Sequence, residues 1–275
     1  MNTKSEKELA FVRDLYITTD WGERFAELVD EHVELPKEGR ALYVTAGTGE
    51  HAMALQKRAG EKLRFVGVDE SDECLELARA KAAVVNQKLE FRREESGALS
   101  FCDDEFDLVL GDASMLPPRQ VEEIVNELVR VTTPGATVAW WLPTSSSFGE
   151  FFSIYWEALQ RAGLDGHSAQ AEELITELPT ITQIEAIAKQ AGLENLESWT
   201  TKEEFDYESG EQFLNSPLIA DFLLKKWMRS LSETDQHRVS IEIARIIDEE
   251  RHDSEFALSM KATLVVGKKS RVQQH

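Results

Sequence analysis

From Ala41 to Leu142 the chain alternates between two hydrophobic patterns. Short, nearly continuous apolar runs occupy Ala41–Thr45, Arg64–Asp69, Phe106–Leu110 and Ala136–Leu142, and a short strand is read at Leu89–Arg92. Between them, apolar residues recur every three or four positions. A continuous run suits a strand buried on both faces, whereas the three-to-four repeat places apolar side chains along one stripe of a helix. The helical stretches carry their own punctuation. Glu50–Ala59 stops at Gly60. Ser71 is placed to cap a helix with Leu75, Ala78, Ala82 and Val85 on its stripe, closed by Asn86. Pro117-Pro118 opens a helix whose stripe is Val121, Ile124, Val125, Leu128 and Val129. This rhythm predicts an α/β fold, a mostly parallel sheet with helices on both faces and right-handed crossovers.

The flanks extend the pattern. Phe25, Leu28, Val29 and His32 repeat at helical spacing behind Asp20, a candidate N-cap, and Pro36 with Gly39 stops that helix; residues 1–39 read as an N-terminal helical cover. Beyond the core (40–142), the pattern predicts helices over Phe148–Arg161, Ala169–Glu177 and Thr182–Gln190, then a strand at Leu193–Thr200. Helices over Glu211–Leu231 and Thr234–Arg251 follow, and a last strand at Phe256–Val266. The count is seven strands, with a helical insertion before the last, and the whole of 1–275 reads as one domain in which 143–275 supplies the substrate side.

Composition narrows the function. The formal charge is −21, from 30 Lys and Arg against 51 Asp and Glu, so a phosphate backbone would be repelled and nucleic acid is not expected as a partner. Only Cys74 and Cys102 are present, without a C-x-x-C pair, and no metal-ligand cluster accompanies the histidines; neither a disulfide framework nor a metal site is expected. No apolar run nears the roughly 20 residues that span a bilayer. These features point to a cytoplasmic protein acting on a small molecule; nothing in the pattern sets an oligomeric state.

The candidate chemistry centres on Ala41–Gly49, reading A-L-Y-V-T-A-G-T-G. An apolar strand, a turn of small residues with two glycines, and an immediate helix form the opening of a nucleotide-binding βαβ unit. The second strand ends in Asp69, about 20 residues past Gly49, near the spacing of an acidic residue that accepts from ribose hydroxyls.

These residues resemble the motifs of the class I S-adenosylmethionine-dependent methyltransferases. A-L-Y-V-T-A-G-T-G is similar to the usual V-L-D-V-G-C-G-T-G, and V-G-V-D-E-S-D-E-C-L to G-V-D-x-S-x-x-M-L. F-R-R-E-E-S-G-A-L-S-F-C-D-D-E-F-D-L-V-L resembles F-x-x-G-D-A-x-x-L-P-F-x-D-x-x-F-D-L-V, and E-L-V-R-V-T-T-P-G-A-T-V resembles E-x-x-R-V-L-K-P-G-G-x-L. The small-molecule branch typified by quinone biosynthesis is the most similar. The resemblance implies a Rossmann-like methyltransferase fold with S-adenosylmethionine as cofactor and S-adenosylhomocysteine as product. It implies cofactor contacts at Thr45, Ala46, Gly47, Thr48, Gly49, Asp69, Glu70, Glu95, Ser96 and Asp112. Three positions depart from the family pattern: Tyr43 replaces an acidic residue, Thr45 replaces the first glycine, and Glu95 replaces an aspartate. A backbone donor at Thr45 is expected to need a negative φ.

Methyl transfer from a sulfonium is an in-line displacement, so alignment supplies much of the acceleration and a base is required only where the nucleophile must lose a proton. His51 and Asp112 are the candidate catalytic side chains. Tyr16, Trp21, Phe148, Phe151 and Tyr155 are candidate walls for an apolar or aromatic acceptor, each also readable as helix packing. The N/D-P-P-Y/F motif of amino-methylating nucleic-acid enzymes is absent. Two other functions compete: a catalytically inactive protein that binds S-adenosylmethionine or S-adenosylhomocysteine, and a nicotinamide-dependent oxidoreductase. The second is disfavoured because Glu50-His51-Ala52 follows Gly49 without the third glycine of G-x-G-x-x-G.

Overall fold

The structure is a computed structural model that describes residues 4–250 and 255–271. The chain divides into two compact units. Among the described residues the first comprises 4–142, 181–200 and 263–271, the second 143–180, 201–250 and 255–262.

The first unit opens with α1 (Glu6–Val12), capped by Ser5 in a reciprocal pair with Glu8. The helical path does not restart at Asp20. It continues through a π-helical segment, Arg13–Gly22, into α2 (Glu23–His32). The Thr18 and Thr19 hydroxyls donate to the Arg13 and Leu15 carbonyls at 3.1 and 2.9 Å, satisfying groups that the wider turn pairs poorly. Asp20 therefore lies inside a helical run and pairs with Arg24 one turn on.

The predicted alternation then follows as β1 (Gly39–Val44), α3 (Glu50–Ala59), β2 (Leu63–Asp69), α4 (Asp72–Val84), β3 (Glu90–Arg93), β4 (Phe106–Asp112), α5 (Val121–Val131) and β5 (Thr132–Pro143). Next come α6 (Gly149–Arg161), α7 (Ser168–Glu177), α8 (Ile181–Gln190) and β6 (Leu193–Tyr207). The chain closes with α9 (Gly210–Asn215), α10 (Leu224–Trp227), α11 (Glu233–Glu250) and β7 (Phe256–Lys269). Among the described residues seven strands form one sheet in the order β3-β2-β1-β4-β5-β7-β6, and the β1–β2, β1–β4, β2–β3 and β4–β5 pairings are parallel. Leu42, Val44, Val66, Val68 and Val109 are buried with the α5 stripe residues Ile124, Val125 and Leu128 in one hydrophobic core. Each such side chain contributes roughly 1.5–3 kcal/mol on burial.

Strand order reverses between β1 and β4, and that switch point fixes where a ligand can sit. The register pairs Val44 with Val68 and Gly111, and Asp112 with Trp141, so the carboxyl ends of β1, β2, β4 and β5 finish level.

In the second unit, Val239, Ile243, Ile246 and Ile247 of α11 are fully buried, as the helical repeat predicts. Arg251, the expected end of this helix, lies outside the described residues. A β-carbon on Gly210 would collide with the Ala244 backbone, so α9 and α11 approach this closely only through a glycine. The single helix expected over Glu211–Leu231 is broken at Ser216-Pro217. Pro217 has no N–H to continue the ladder, and the residue before it is extended.

Candidate functional site

The turn after β1 is shaped by three left-handed residues: Thr45 at φ 57°, Gly47 at φ 56° and Gly49 at φ 80°. Thr45 thus takes the glycine-like conformation, not the negative φ expected of it, at a cost of about 1–3 kcal/mol. Its hydroxyl donates to the Asp112 carbonyl, joining the ends of β1 and β4. Asp69, 4 % exposed, ties the turn to β2: its carboxylate accepts the Gly47 N–H at 2.8 Å and the Ser71 N–H at 3.0 Å.

One residue here is invisible to motif reading. Arg13, on the π-helical segment, lies across Gly47, its guanidinium 3.2 Å from where a β-carbon would stand and 3.8 Å from the Asp69 carboxylate. Burial works against its charge, but Asp69, Cys74 and Asp112 outweigh burial and hold the guanidinium pKa above its ordinary value.

A cavity of about 480 Å³ opens beside this turn. Thr45–Thr48 form one wall, Trp21 and Arg13 another, and Tyr43, His51 and Trp141 a third. Trp21 is held in place by its indole N–H, which donates to Ser114 at 3.0 Å. Tyr43 sits edge-on to Trp141, ring centroids 5.6 Å apart. Its hydroxyl lies 3.0 Å from His51 Nδ1, and His51 Nε2 lies 3.4 Å from Asp30 Oδ1, which Arg58 also holds at 2.7 Å. The His51 hydrogen bond, with Arg58 beside it, draws the Asp30 carboxyl pKa below its ordinary value. Burial, with Asp112 nearby, pushes the Tyr43 phenol well above its own.

The remaining candidates fall in other places. Glu70 accepts from the Ser96 N–H at 3.0 Å and hydroxyl at 2.6 Å, so β2's end and the loop after β3 meet, with Glu95 beside Arg93 at 3.5 Å. These residues and Asp69 stand outside the cavity lining. Tyr16 is 54 % exposed and also outside the lining. Phe148, Phe151 and Tyr155 are buried in the second unit. There Phe151 stacks on Tyr155 and, at 4.2 Å, on Trp227, and Phe148 packs against Trp227 at 5.3 Å. The aromatic side chains that line the cavity are Trp21, Tyr43 and Trp141. Sequence reading passed over Arg13, Asp30 and Trp141, and marked Tyr43 as a departure from the family pattern and not as a site residue. Among the described residues no group of His, Cys, Asp or Glu is arranged to hold a metal.

Burial raises the Asp112 carboxyl pKa, against hydrogen bonds from Ser114 and the charge of Arg13. A raised acid destabilises the fold as pH climbs past its unfolded value, and the cost is complete above its folded value. Asp112→Asn is therefore expected to melt higher than the parent at neutral pH, the gain fading towards about pH 4. Scanning calorimetry at both pH values checks this, and a gain independent of pH would contradict it.

A family model described as a methyltransferase domain matches residues 41–135, the span holding the turn, Asp69, Glu95 and Asp112. The chain carries a methyltransferase domain and has the fold of the class I S-adenosylmethionine-dependent methyltransferases. It is 26% identical over 187 residues to a demethylmenaquinone methyltransferase of Bacillus licheniformis, a match covering 64% of this chain and 78% of the relative. It is 30% identical over 155 residues to that of Deinococcus radiodurans, covering 55% of this chain and 63% of the relative, under two thirds of its length. The fold is similar to that of the YcgJ protein of Bacillus subtilis, with a TM-score of 0.59 at 16% identity over 91% of this chain and all of that one. S-adenosylmethionine is the family's cofactor, and no described helix of this methyltransferase is long and apolar enough to cross a membrane. The turn residues, Asp69 and the Glu70–Ser96 pair fit such a ligand chemically. They offer left-handed backbone against which it can pass, a buried carboxylate for hydroxyls, and a polar edge for a base.

Proposed function

We propose that this methyltransferase transfers the methyl group of S-adenosylmethionine to a small aromatic or otherwise apolar acceptor held in the cavity beside the Gly47 turn. The observation that carries this reading is the position of the cavity. It lies at the switch point of the sheet, between cofactor-binding backbone and a wall of Trp21, Tyr43 and Trp141. Asp69 takes the ribose hydroxyls, Thr45–Gly49 line the methionine portion, Glu70, Glu95 and Ser96 meet the adenine, and Asp112 stands near the sulfonium. Glu23, Glu27, Asp30 and Glu50 at the rim, with the −21 charge, disfavour an anionic acceptor. The aromatic wall and relatives named for demethylmenaquinone both agree with a flat, apolar one. An exposed, unpaired Cys102 suits the reducing cytoplasm.

The test has two parts. Calorimetry is expected to show binding of S-adenosylmethionine and S-adenosylhomocysteine but not of NADH. Mass spectrometry of reactions with phenols and hydroquinones, naphthalene-1,4-diol among them, is expected to show a methylated product. Binding of cofactor without methylation of any acceptor would favour the inactive binding protein.

A further inference from the structure

Tyr43, His51 and Asp30 form a chain of hydrogen bonds from the cavity wall towards solvent. Tyr43 is 4 % exposed, the His51 side chain 14 % and the Asp30 side chain 46 %. Arg58 anchors Asp30 from the same helix that carries His51. An ionised Asp30 facing Nε2 selects the tautomer with the proton on Nε2, which leaves Nδ1 as an acceptor for the Tyr43 hydroxyl. A packing role alone would not need this order of donor and acceptor, nor an aspartate at the outer end.

We infer that Tyr43, His51 and Asp30 are a proton-accepting relay for methyl transfer, with Tyr43 touching the acceptor and His51 and Asp30 positioned behind it. The inference rests on the reading of the cavity as the place of methyl transfer. The acceptor's X–H donates to Tyr43 Oη. As the X–C bond forms and the C–S bond breaks, the pair from C–S passes to sulfur. The X–H proton moves to Tyr43 Oη while the Tyr43 proton moves to His51 Nδ1. The positive charge lost by the sulfonium reappears as an imidazolium beside Asp30, and the proton leaves through the exposed end. No oxidant or second reactant enters. The phenol works by relaying a proton, not as a phenolate, which agrees with the upward push that burial gives it. The charged groups around the relay are Asp30 and Glu27 on α2, Glu50 and Arg58 on α3, Arg13 on the π-helical segment and Asp112 at the end of β4.

Rates with naphthalene-1,4-diol should be compared with rates on 4-nitrothiophenol, an anion at neutral pH that has no proton to give up. Tyr43→Phe and His51→Gln are expected to lower kcat on the diol by about a hundredfold, the low end of what general bases supply, with KM and the affinity for S-adenosylhomocysteine little changed. Asp30→Asn is expected to lose about tenfold. The loss on the thiolate should be far smaller, and the acid limb of kcat against pH should disappear in His51→Gln. Equal losses on both acceptors, or losses confined to KM and cofactor affinity, would overturn the relay. A second measurement needs no turnover. Nitrogen NMR of the imidazole in the S-adenosylhomocysteine complex should show His51 protonated on Nε2, with Nδ1 shifting in Tyr43→Phe. A proton on Nδ1 would overturn the relay even if the diol proves no substrate, an outcome that counts against the acceptor assignment alone.

Discussion

Asp69→Ala is expected to lower the affinity for S-adenosylhomocysteine by about a hundredfold or more. The carboxylate has several partners at once. It accepts the Gly47 N–H, which holds the turn in its left-handed conformation, and the Ser71 N–H, which starts α4. It also faces the Arg13 guanidinium at 3.8 Å. A charge-assisted hydrogen bond to the ligand is worth roughly 1.5–3 kcal/mol, a factor of about ten to a hundred in affinity. Removing the carboxylate also leaves a buried N–H and a half-buried guanidinium without their acceptor. The turn loses its tether when the ligand loses its contact, which places the expected loss at or above the upper end of that range. Asp69→Asn keeps one acceptor oxygen without the charge and should fall between the parent and alanine. Calorimetry with S-adenosylhomocysteine measures both variants, and an unchanged dissociation constant in Asp69→Ala would remove Asp69 from the cofactor site.

Of the two glycines in the turn, Gly49 carries the larger expected loss of stability. A β-carbon on Gly49 would meet Phe91 Cζ at 2.5 Å and Ala78 Cβ at 2.9 Å, both buried and both on elements packed against β2. Neither can move without disturbing α4 or β3, and φ at Gly49 is 80°. Overpacking of about 1–3 kcal/mol adds to left-handed strain of similar size, a large fraction of the roughly 5–15 kcal/mol that holds a domain together. Gly49→Val should therefore melt well below the parent, in the absence of any ligand. At Gly47, also left-handed at φ 56°, the three atoms nearest a β-carbon belong to the end of the Arg13 side chain, 3.2 Å away, which can give way. Gly47→Val is expected to keep its far-ultraviolet circular dichroism while binding of S-adenosylhomocysteine disappears. Thermal melts and calorimetry on the two variants separate the roles. A Gly49→Val protein as stable as the parent would show that Phe91 and Ala78 have room to yield.

Much of the fold and part of the candidate site are legible in the sequence because they depend on neighbours close along the chain. Continuous apolar runs marked β1, β2, β4 and β5, the three-to-four repeat marked α5 and α11, and Ser71 caps α4 through the Cys74 N–H as its position suggested. The small-residue turn and Asp69 could be placed together because the βαβ unit brings its first turn and second strand end into contact by local connectivity alone. What only the tertiary structure decided involves partners far apart in sequence. Arg13 reaches Gly47 and Asp69 because a helical path that no local signal predicts runs on through a π segment past Asp20. Tyr43 meets Trp141 because β4 lies between their two strands, and His51 meets Asp30 because α3 returns beside α2. Thr45 is left-handed because the chain must turn where β1 and β4 end level, whatever residue stands there. The aromatics of α6 illustrate the limit most directly. Their spacing is the same whether they face a ligand or one another, and Phe151 faces Tyr155 and Trp227 because the second unit has its own core to fill. Periodicity encodes which side of an element is buried. What that side is buried against is set by long-range packing, which no short stretch of sequence contains.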